Sequence, residues 1–493
     1  LPDQTHLTTR GGLAARLVLV YVAVNLLGFW MAKEWYYDRP IANVDYLLAG
    51  LIFLWISRTL AAVTLVTLYF VECARYLIPT YFFSTQSFSI FFWLRAARNW
   101  SPVILLTALV AVCGLILAVT LLFRRYRVPL RLRVEATLWI MATGGLLMLA
   151  DSLNGTNSIY NLRAGTSLFS VNFAGSPLNV VARKTLATFR GESAICTPIL
   201  PETTATGRYF SEMLSTSNAP ADLSRGMDSL LTAPHLERLP DKLVVVVFES
   251  LSVLTADPEL KDWRRPFARV ENRYTIESGS FDWFGATLRG EVRELCWQSL
   301  DGDRVQSLPT ALPTALKQLG YTTVSLHGFY KTMWDRDRLY PLLGFDKSIF
   351  LDEMRREGDV PLAGTLFHGA QDSFVAAQAH REILQSGKRL VYWMTLSSHC
   401  PVNKSFAQQI ATPEELAAAR DLPPTVWAYS VICRNTLKSI ADIAADETLD
   451  DCDFIIVGDH SLPITSGESR SYFAPYRVPY LILRHKKPGV AGP

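Results

Sequence analysis

Four runs of apolar, mostly β-branched or aromatic residues each lead into a side chain that can bind a metal ion or a phosphate. Lys242-Leu-Val-Val-Val-Val-Phe248 runs into Glu249-Ser250, and Tyr321-Thr-Thr-Val-Ser-Leu326 into His327-Gly328. Leu390-Val-Tyr-Trp-Met-Thr-Leu396 leads to Ser398-His399, and Phe454-Ile-Ile-Val-Gly458 to Asp459-His460. Runs of this kind read as strands buried on both faces of a parallel sheet. In open α/β sheets, ligands gather at the carboxyl ends of the strands. Glu249, His327, His399, Asp459 and His460 are therefore expected to converge, although they are far apart in the chain.

Helical patterns alternate with these runs. Pro313–Leu319 precedes the Tyr321 strand, Asp372–Gln385 the Leu390 strand and Val426–Ala445 the Phe454 strand. That alternation predicts a doubly wound sheet with helices on both faces, beginning at Asp241.

At 493 residues the chain is too long for one ordinary core. Residues 1–151 hold apolar segments at Arg16–Ala32, Tyr46–Val71, Val103–Phe123 and Val134–Leu149, each near the roughly 20 residues that cross a bilayer. Leu77–Leu94 mixes aromatic and polar residues and reads as a fifth span or an interfacial helix. Arg124, Arg125, Arg127, Arg131 and Arg133 crowd one short loop, which marks a cytoplasmic face. With a cytoplasmic amino terminus the span count is odd, so five spans are expected, delivering the chain outside after residue 151. Residues 152–240, rich in Asn, Ser, Thr, Gly and Pro, read as a connector, with short helical patches such as Pro177–Phe189, and 241–493 as an extracytoplasmic α/β domain. Charge follows the same division. Residues 1–151 carry 13 Lys/Arg against 7 Asp/Glu, net +6, and the remainder 35 against 38, net −3. The basic excess sits at the membrane loops, and no basic stripe with an aromatic platform speaks for nucleic acid.

Of seven cysteines, Cys73 and Cys113 fall in the membrane part, and Cys196, Cys296, Cys400, Cys433 and Cys452 outside it. No C-x-x-C pair occurs, which argues against a structural zinc site. An external domain with five cysteines is expected to hold one or two disulfides and a free thiol.

Glu249, Asp459 and His460 supply two carboxylates and an imidazole, a donor set for Mn²⁺ or Zn²⁺, with Mg²⁺ a third candidate. Each signal is weak alone: Gly458-Asp459-His460 is also an ordinary turn, and Ser250 is also a helix cap. Their joint occurrence at strand ends carries the reading. Within Gly285-Ala-Thr-Leu-Arg-Gly-Glu291, Thr287 is placed to begin a helix, where backbone N–H groups favour an incoming phosphate. A bound cation there would lower the hydroxyl pKa; the bland alternative is a plain N-cap.

These motifs together resemble the lipoteichoic acid synthase branch of the alkaline phosphatase (sulfatase-like) superfamily over roughly Asp241–Leu483. The resemblance rests on Phe248-Glu249-Ser250, the segment around Thr287, and His327-Gly-Phe-Tyr-Lys-Thr-Met-Trp-Asp-Arg336 running into Leu343-Gly-Phe-Asp346. Ser397-Ser-His-Cys-Pro401 and Gly458-Asp-His460 complete it. It implies a multi-span α-helical membrane domain with an alkaline-phosphatase-like soluble domain. It also implies one divalent ion held by Glu249, Thr287, Asp459 and His460, with Thr287 as nucleophile. Trp334, Arg336 and His399 would handle the donor's phosphate and head group, with His327 near them; His399 and Arg336 would also assist the chemistry. The implied reaction moves phosphoglycerol from phosphatidylglycerol, through a phosphothreonine, to a hydroxyl of an envelope glycan or lipid-linked acceptor. The external cysteines point to a Gram-negative inner membrane with the catalytic domain in the periplasm. Related phosphoethanolamine transferases share the threonine and metal, and Glu291 and Glu294 would suit an ethanolamine ammonium. A membrane-anchored phosphodiesterase and a binding protein with a vestigial site are further alternatives. A sulfatase is disfavoured, because Cys296-Trp-Gln-Ser lacks the segment that becomes formylglycine.

Overall fold

The structure is a computed structural model describing residues 17–26, 46–57, 59–69, 113–114, 117 and 129–153, then 195–487 except 216–222, 224–225, 256–261, 284, 286, 302–309, 364–367, 401, 420, 463–467 and 475. The chain divides into two compact units, one made chiefly of residues up to 191 and the other chiefly of residues from Glu192.

The described part of the first unit is helical: residues 17–26, α1 (Tyr46–Trp55), residues 59–69 and α2 (Leu130–Leu153). Phe53, Leu54 and Ala61 form one small cluster with Val20, Ala136 and Ile140 packed against it. Among the described residues no helix is long and apolar enough to cross a membrane. The expected Tyr46–Val71 span is two helices. Its first helix ends at Trp55, and Ser57 caps the second, its hydroxyl accepting from the Leu60 N–H at 3.4 Å. The expected Val134–Leu149 span lies inside α2, which starts earlier and takes Arg131, Arg133 and Glu135 into its first turns. Leu77–Leu94, most of Val103–Phe123, Arg124–Arg127 and Pro177–Phe189 lie outside the described residues.

The second unit is built on seven strands: β1 (Lys242–Phe248), β2 (Tyr274–Asp282), β3 (Thr322–His327), β4 (Lys347–Phe350), β5 (Arg389–Met394), β6 (Cys452–Gly458) and β7 (Arg477–His485). Their order across the sheet is β2-β7-β6-β1-β5-β3-β4. The five strands β6, β1, β5, β3 and β4 are parallel, and β7 and β2 close one edge antiparallel. The central strands are buried throughout, as their uninterrupted Val, Ile and aromatic content requires.

Alternate residues serve opposite faces. Val245, Val247, Tyr392, Met394, Ile455 and Val457 share one core with α3 (Ala205–Met213), α4 (Thr287–Cys296), α5 (Leu312–Gln318) and α6 (Arg336–Leu343). α7 (Asp372–Ile383) packs against β3 and β5, and α8 (Pro424–Ala444) against α7. Residues 195–240, expected to belong to the connector, are part of this unit instead. Tyr209 and Phe210 of α3 are fully buried, and an amphipathic helix buries its apolar face wherever a core will take it.

Among the described residues the disulfide expectation is not met: no bridge joins Cys113, Cys296, Cys400, Cys433 or Cys452. The last four are buried, and Cys433 and Cys452 are fixed by α8 and β6 in the interior. They serve as small apolar side chains, and burial holds the Cys433 thiol far above its ordinary pKa.

Candidate active site

Sheet register sets the site. Gly458 pairs with Phe248, Val247 with Met394, and Met394 with His327. The strands end level, so Glu249, Asp459 and the Thr395–His399 loop leave the sheet at one carboxyl edge. The backbone is locked there by bonds between neighbouring ends. Asp459 N–H donates to the Phe248 carbonyl at 3.0 Å, Glu249 N–H to Thr395 Oγ1 at 2.8 Å, and Ser398 Oγ to the Glu249 carbonyl at 2.6 Å. Ser250 sits at φ 56°, a left-handed conformation costly for a serine, held by its N–H bond to Asp459 Oδ1 at 2.7 Å.

Thr287 is the first residue of α4 and is buried. Its Oγ1 donates to Glu249 Oε2 at 3.2 Å and lies 3.5 Å from His460 Nε2. Glu249 Oε1 and Asp459 Oδ2 stand 3.4 and 3.3 Å from the same nitrogen. Burial pushes the Asp459 carboxyl up to about 7; burial, then the Asp459 charge, raises Glu249. Burial also lowers His460, favouring the neutral ring. His460 Nδ1 contacts the Ser461 carbonyl at 3.0 Å, so Nδ1 carries the proton and Nε2 is an acceptor. Three acceptors thus face one another, and Asp459 Oδ2, although buried, receives no hydrogen bond among the described residues.

This arrangement fits a divalent cation. The Glu249, Asp459 and His460 ligand atoms all lie within 4.8 Å of one another, and two carboxylates with an imidazole suit Mn²⁺ or Zn²⁺. The Thr287 hydroxyl adjoins the same cluster.

The expected substrate residues lie alongside, with one difference. His327 is buried at the end of β3, Nδ1 meeting the Met394 carbonyl at 3.0 Å; burial, reinforced by Arg336, holds its pKa well below the usual value. His399 Nδ1 meets the Cys400 carbonyl at 2.6 Å, and burial lowers its pKa against the pull of Glu249. Arg336 is buried at the start of α6, but the fork expected for phosphate is taken by Glu291. Nη2 donates to Oε2 at 2.9 Å, and Nε lies 3.4 Å from Oε1. Tyr340 and Tyr392 hydroxyls complete that carboxylate at 2.6 and 2.9 Å. Glu294 is likewise engaged, by Arg293 and by the N–H and hydroxyl of Thr206. Both acids expected to suit an ammonium are thus sealed inside the protein. The side chain of Trp334 lies outside the described residues.

Arg293 escaped the sequence reading. In Arg289-Gly-Glu-Val-Arg-Glu294 it looks like part of a solvated charged face, yet it is fully buried. Its position six residues beyond Thr287, in a helix that opens at that residue, is the available signal.

Residues 285–489 match the Sulfatase family model. That stretch resembles a sulfatase domain. Fifty residues of the chain are 50% identical to the lipoteichoic acid synthase of Staphylococcus saprophyticus, a match covering 10% of this chain and 7% of that protein. Among solved structures, the lipoteichoic acid synthase LtaP from Listeria monocytogenes is similar at TM-score 0.39 and 18% identity, over 51% of this chain and 66% of that one. The Streptococcus pyogenes phosphoglycerol transferase GacH, in complex with sn-glycerol-1-phosphate, gives 0.35 and 18% over 49% and 67%. The periplasmic domain of EcEptC from Escherichia coli, in complex with zinc, gives 0.36 and 13% over 50% and 74%. The chain spans about two thirds of LtaP's length and a small fraction of the staphylococcal synthase's.

Proposed function

We propose that this protein transfers phosphoglycerol from phosphatidylglycerol to a hydroxyl of an envelope glycan or lipid-linked acceptor, by way of a phosphothreonine at Thr287. The observation that carries the reading is the Thr287 hydroxyl, at the N-terminus of a buried helix, within 3.2 Å of Glu249 and 3.5 Å of His460. The sulfatase-like stretch and the 50 residues that are 50% identical to a lipoteichoic acid synthase support it.

Glu249, Asp459, His460 and Thr287 would hold the divalent ion, which when bound supplies positive charge that favours the Thr287 alkoxide. Thr287 Oγ then bonds to the donor's phosphorus as the bond from phosphorus to the diacylglycerol oxygen breaks. Diacylglycerol leaves with a proton, and phosphoglycerol stays on Thr287. In the second half an acceptor hydroxyl loses its proton and bonds to phosphorus, and Thr287 Oγ departs and regains its proton. The α4 N–H groups favour the phosphate throughout. Arg336, its fork occupied and its charge offset by Glu291, supports the wall of the site rather than gripping the phosphate. His399 and His327 are held by carbonyl bonds in tautomers that present Nε2 as an acceptor, suited to taking a proton from an acceptor hydroxyl or a glycerol hydroxyl.

The engagement of Glu291 and Glu294 removes the feature that favoured an ethanolamine head group. A sulfatase activity is disfavoured because threonine, which cannot become formylglycine, occupies the nucleophile position. The test is mass spectrometry of protein incubated with phosphatidylglycerol and phosphatidylethanolamine and no acceptor. A phosphoglycerol adduct on the Thr287 peptide supports the proposal. A phosphoethanolamine adduct transfers the reading to that head group, and lipid turnover without any adduct on Thr287 rejects the covalent route.

A further inference from the structure

The proposed chemistry needs the Thr287 hydroxyl, on one element, kept in register with Asp459 and His460 on another. Beyond the approach of Thr287 to His460, two contacts between described residues join them. Gly290, one turn into α4, lies so close to the ligand turn that a Cβ would sit 2.7 Å from Asp459 Cα and Cβ. One turn further, Arg293 Nη2 donates to the Gly458 carbonyl at 2.6 Å and Nη1 to the Asp459 carbonyl at 3.2 Å. Its Nε donates to Glu294 Oε1 at 2.7 Å, and the rings of Phe281 and Trp283 each lie 4.8 Å from its Cζ.

A buried ion pair is a weak source of stability, because the attraction barely offsets the desolvation of both charges. What the guanidinium adds is direction. Its planar fork grips two successive carbonyls of the turn that presents the metal ligands, while Glu294 and two aromatic faces fix its plane. We infer that Arg293 is a positioning residue for this site, acting through the Gly458–Asp459 backbone. It sets the spacing between the Thr287 hydroxyl and the Asp459–His460 pair, and with it the affinity for the cation and the reach of the nucleophile. The inference rests on the metal and nucleophile assignments of the proposed function, but it does not depend on which head group is moved.

The test uses the full chain carrying Arg293→Lys or Glu294→Gln, with Mn²⁺ as probe. Electron paramagnetic resonance of free Mn²⁺ gives the affinity, circular dichroism with chelator gives the fold, and steady-state transfer gives kcat and KM separately. A lysine's compact ammonium lacks the planar fork that spans both carbonyls and Glu294, so Arg293→Lys should weaken Mn²⁺ binding about 10- to 100-fold, the range for residues that orient metal ligands. Glu294→Gln should weaken it less, and kcat should fall in both while KM stays nearly unchanged. If wild type binds Mn²⁺ and both folded variants bind it equally well, the inference is overturned and the functional reading stands. If Arg293→Lys does not fold, Glu294→Gln decides, and wild-type affinity there overturns it. A wild-type protein that binds no Mn²⁺ or Zn²⁺ removes the metal reading, and the inference with it.

Discussion

A threonine hydroxyl is a poor nucleophile at neutral pH, and the surroundings of Thr287 bear on that weakness. Glu249 accepts a hydrogen bond from it, His460 stands beside it, and α4 begins there, where under the proposed function backbone N–H groups would favour a phosphate. Thr287→Ala should therefore lower diacylglycerol release by about three orders of magnitude or more, with circular dichroism unchanged. Thr287→Ser, which keeps the oxygen, should retain measurable release. Glu291 belongs to a different kind of argument. It neutralises the buried Arg336 guanidinium and accepts from two tyrosines. Glu291→Ala leaves a buried charge without its partner and should cost about 3–5 kcal/mol in urea unfolding. A loss of activity with full stability would instead put Glu291 in contact with substrate. That pairing was not legible in the sequence. Its partners are 45 and more residues away, and a buried Glu–Arg pair reads the same as two surface charges until the fold joins them.

Strands and their ends were the legible part of this chain. Continuous Val and Ile runs are typical of parallel strands buried on both faces, and β1 matches its predicted bounds residue for residue. From parallel strands follows the convergence of Glu249, Asp459 and His460, since level ends share one edge. The antiparallel edge was not legible. β2 (Tyr-Thr-Ile-Glu-Ser-Gly-Ser-Phe-Asp) is half polar, and β7 carries a proline, a pattern that reads as loop until another strand lies beside it. Nor was the brace under the His399 loop. Asp372, at the start of α7, accepts from Leu396 N–H and Ser397 N–H, each at 2.9 Å, so one carboxylate ties α7 to the chain leaving β5. Burial pushes its pKa up to about 6, against roughly 3.9 in an unfolded chain. The folded state then holds the proton more tightly. That stabilisation is complete below about pH 4 and is lost as pH rises through about 6. Relative to Asp372→Asn, wild type should lose up to about 3 kcal/mol of unfolding free energy across that window, measured by denaturant titration at a series of pH values. Parallel curves for the two proteins would mean that the carboxyl is ionised throughout.

For the whole molecule the question is how the proposed site for a lipid head group would meet its substrate. The first unit leaves Val18, Leu19, Leu138, Met141 and Trp139 between 60 and 74% exposed, an outlay of apolar surface that water disfavours and lipid accepts. The proposed role for this unit is to hold the chain at the bilayer, in keeping with the net +6 of residues 1–151. Full-length protein should then stay with membranes through alkaline carbonate washing. A chain beginning at Glu192 should separate two effects of losing the first unit. If the unit serves to concentrate the site at the bilayer, release of diacylglycerol from phosphatidylglycerol vesicles should fall at least about tenfold. Turnover of a short-chain, water-soluble phosphatidylglycerol should then be unchanged, because a dissolved donor needs no anchor. Equal losses on both substrates would assign the first unit to supporting the catalytic fold, and equal rates on vesicles would leave the anchoring proposal without support.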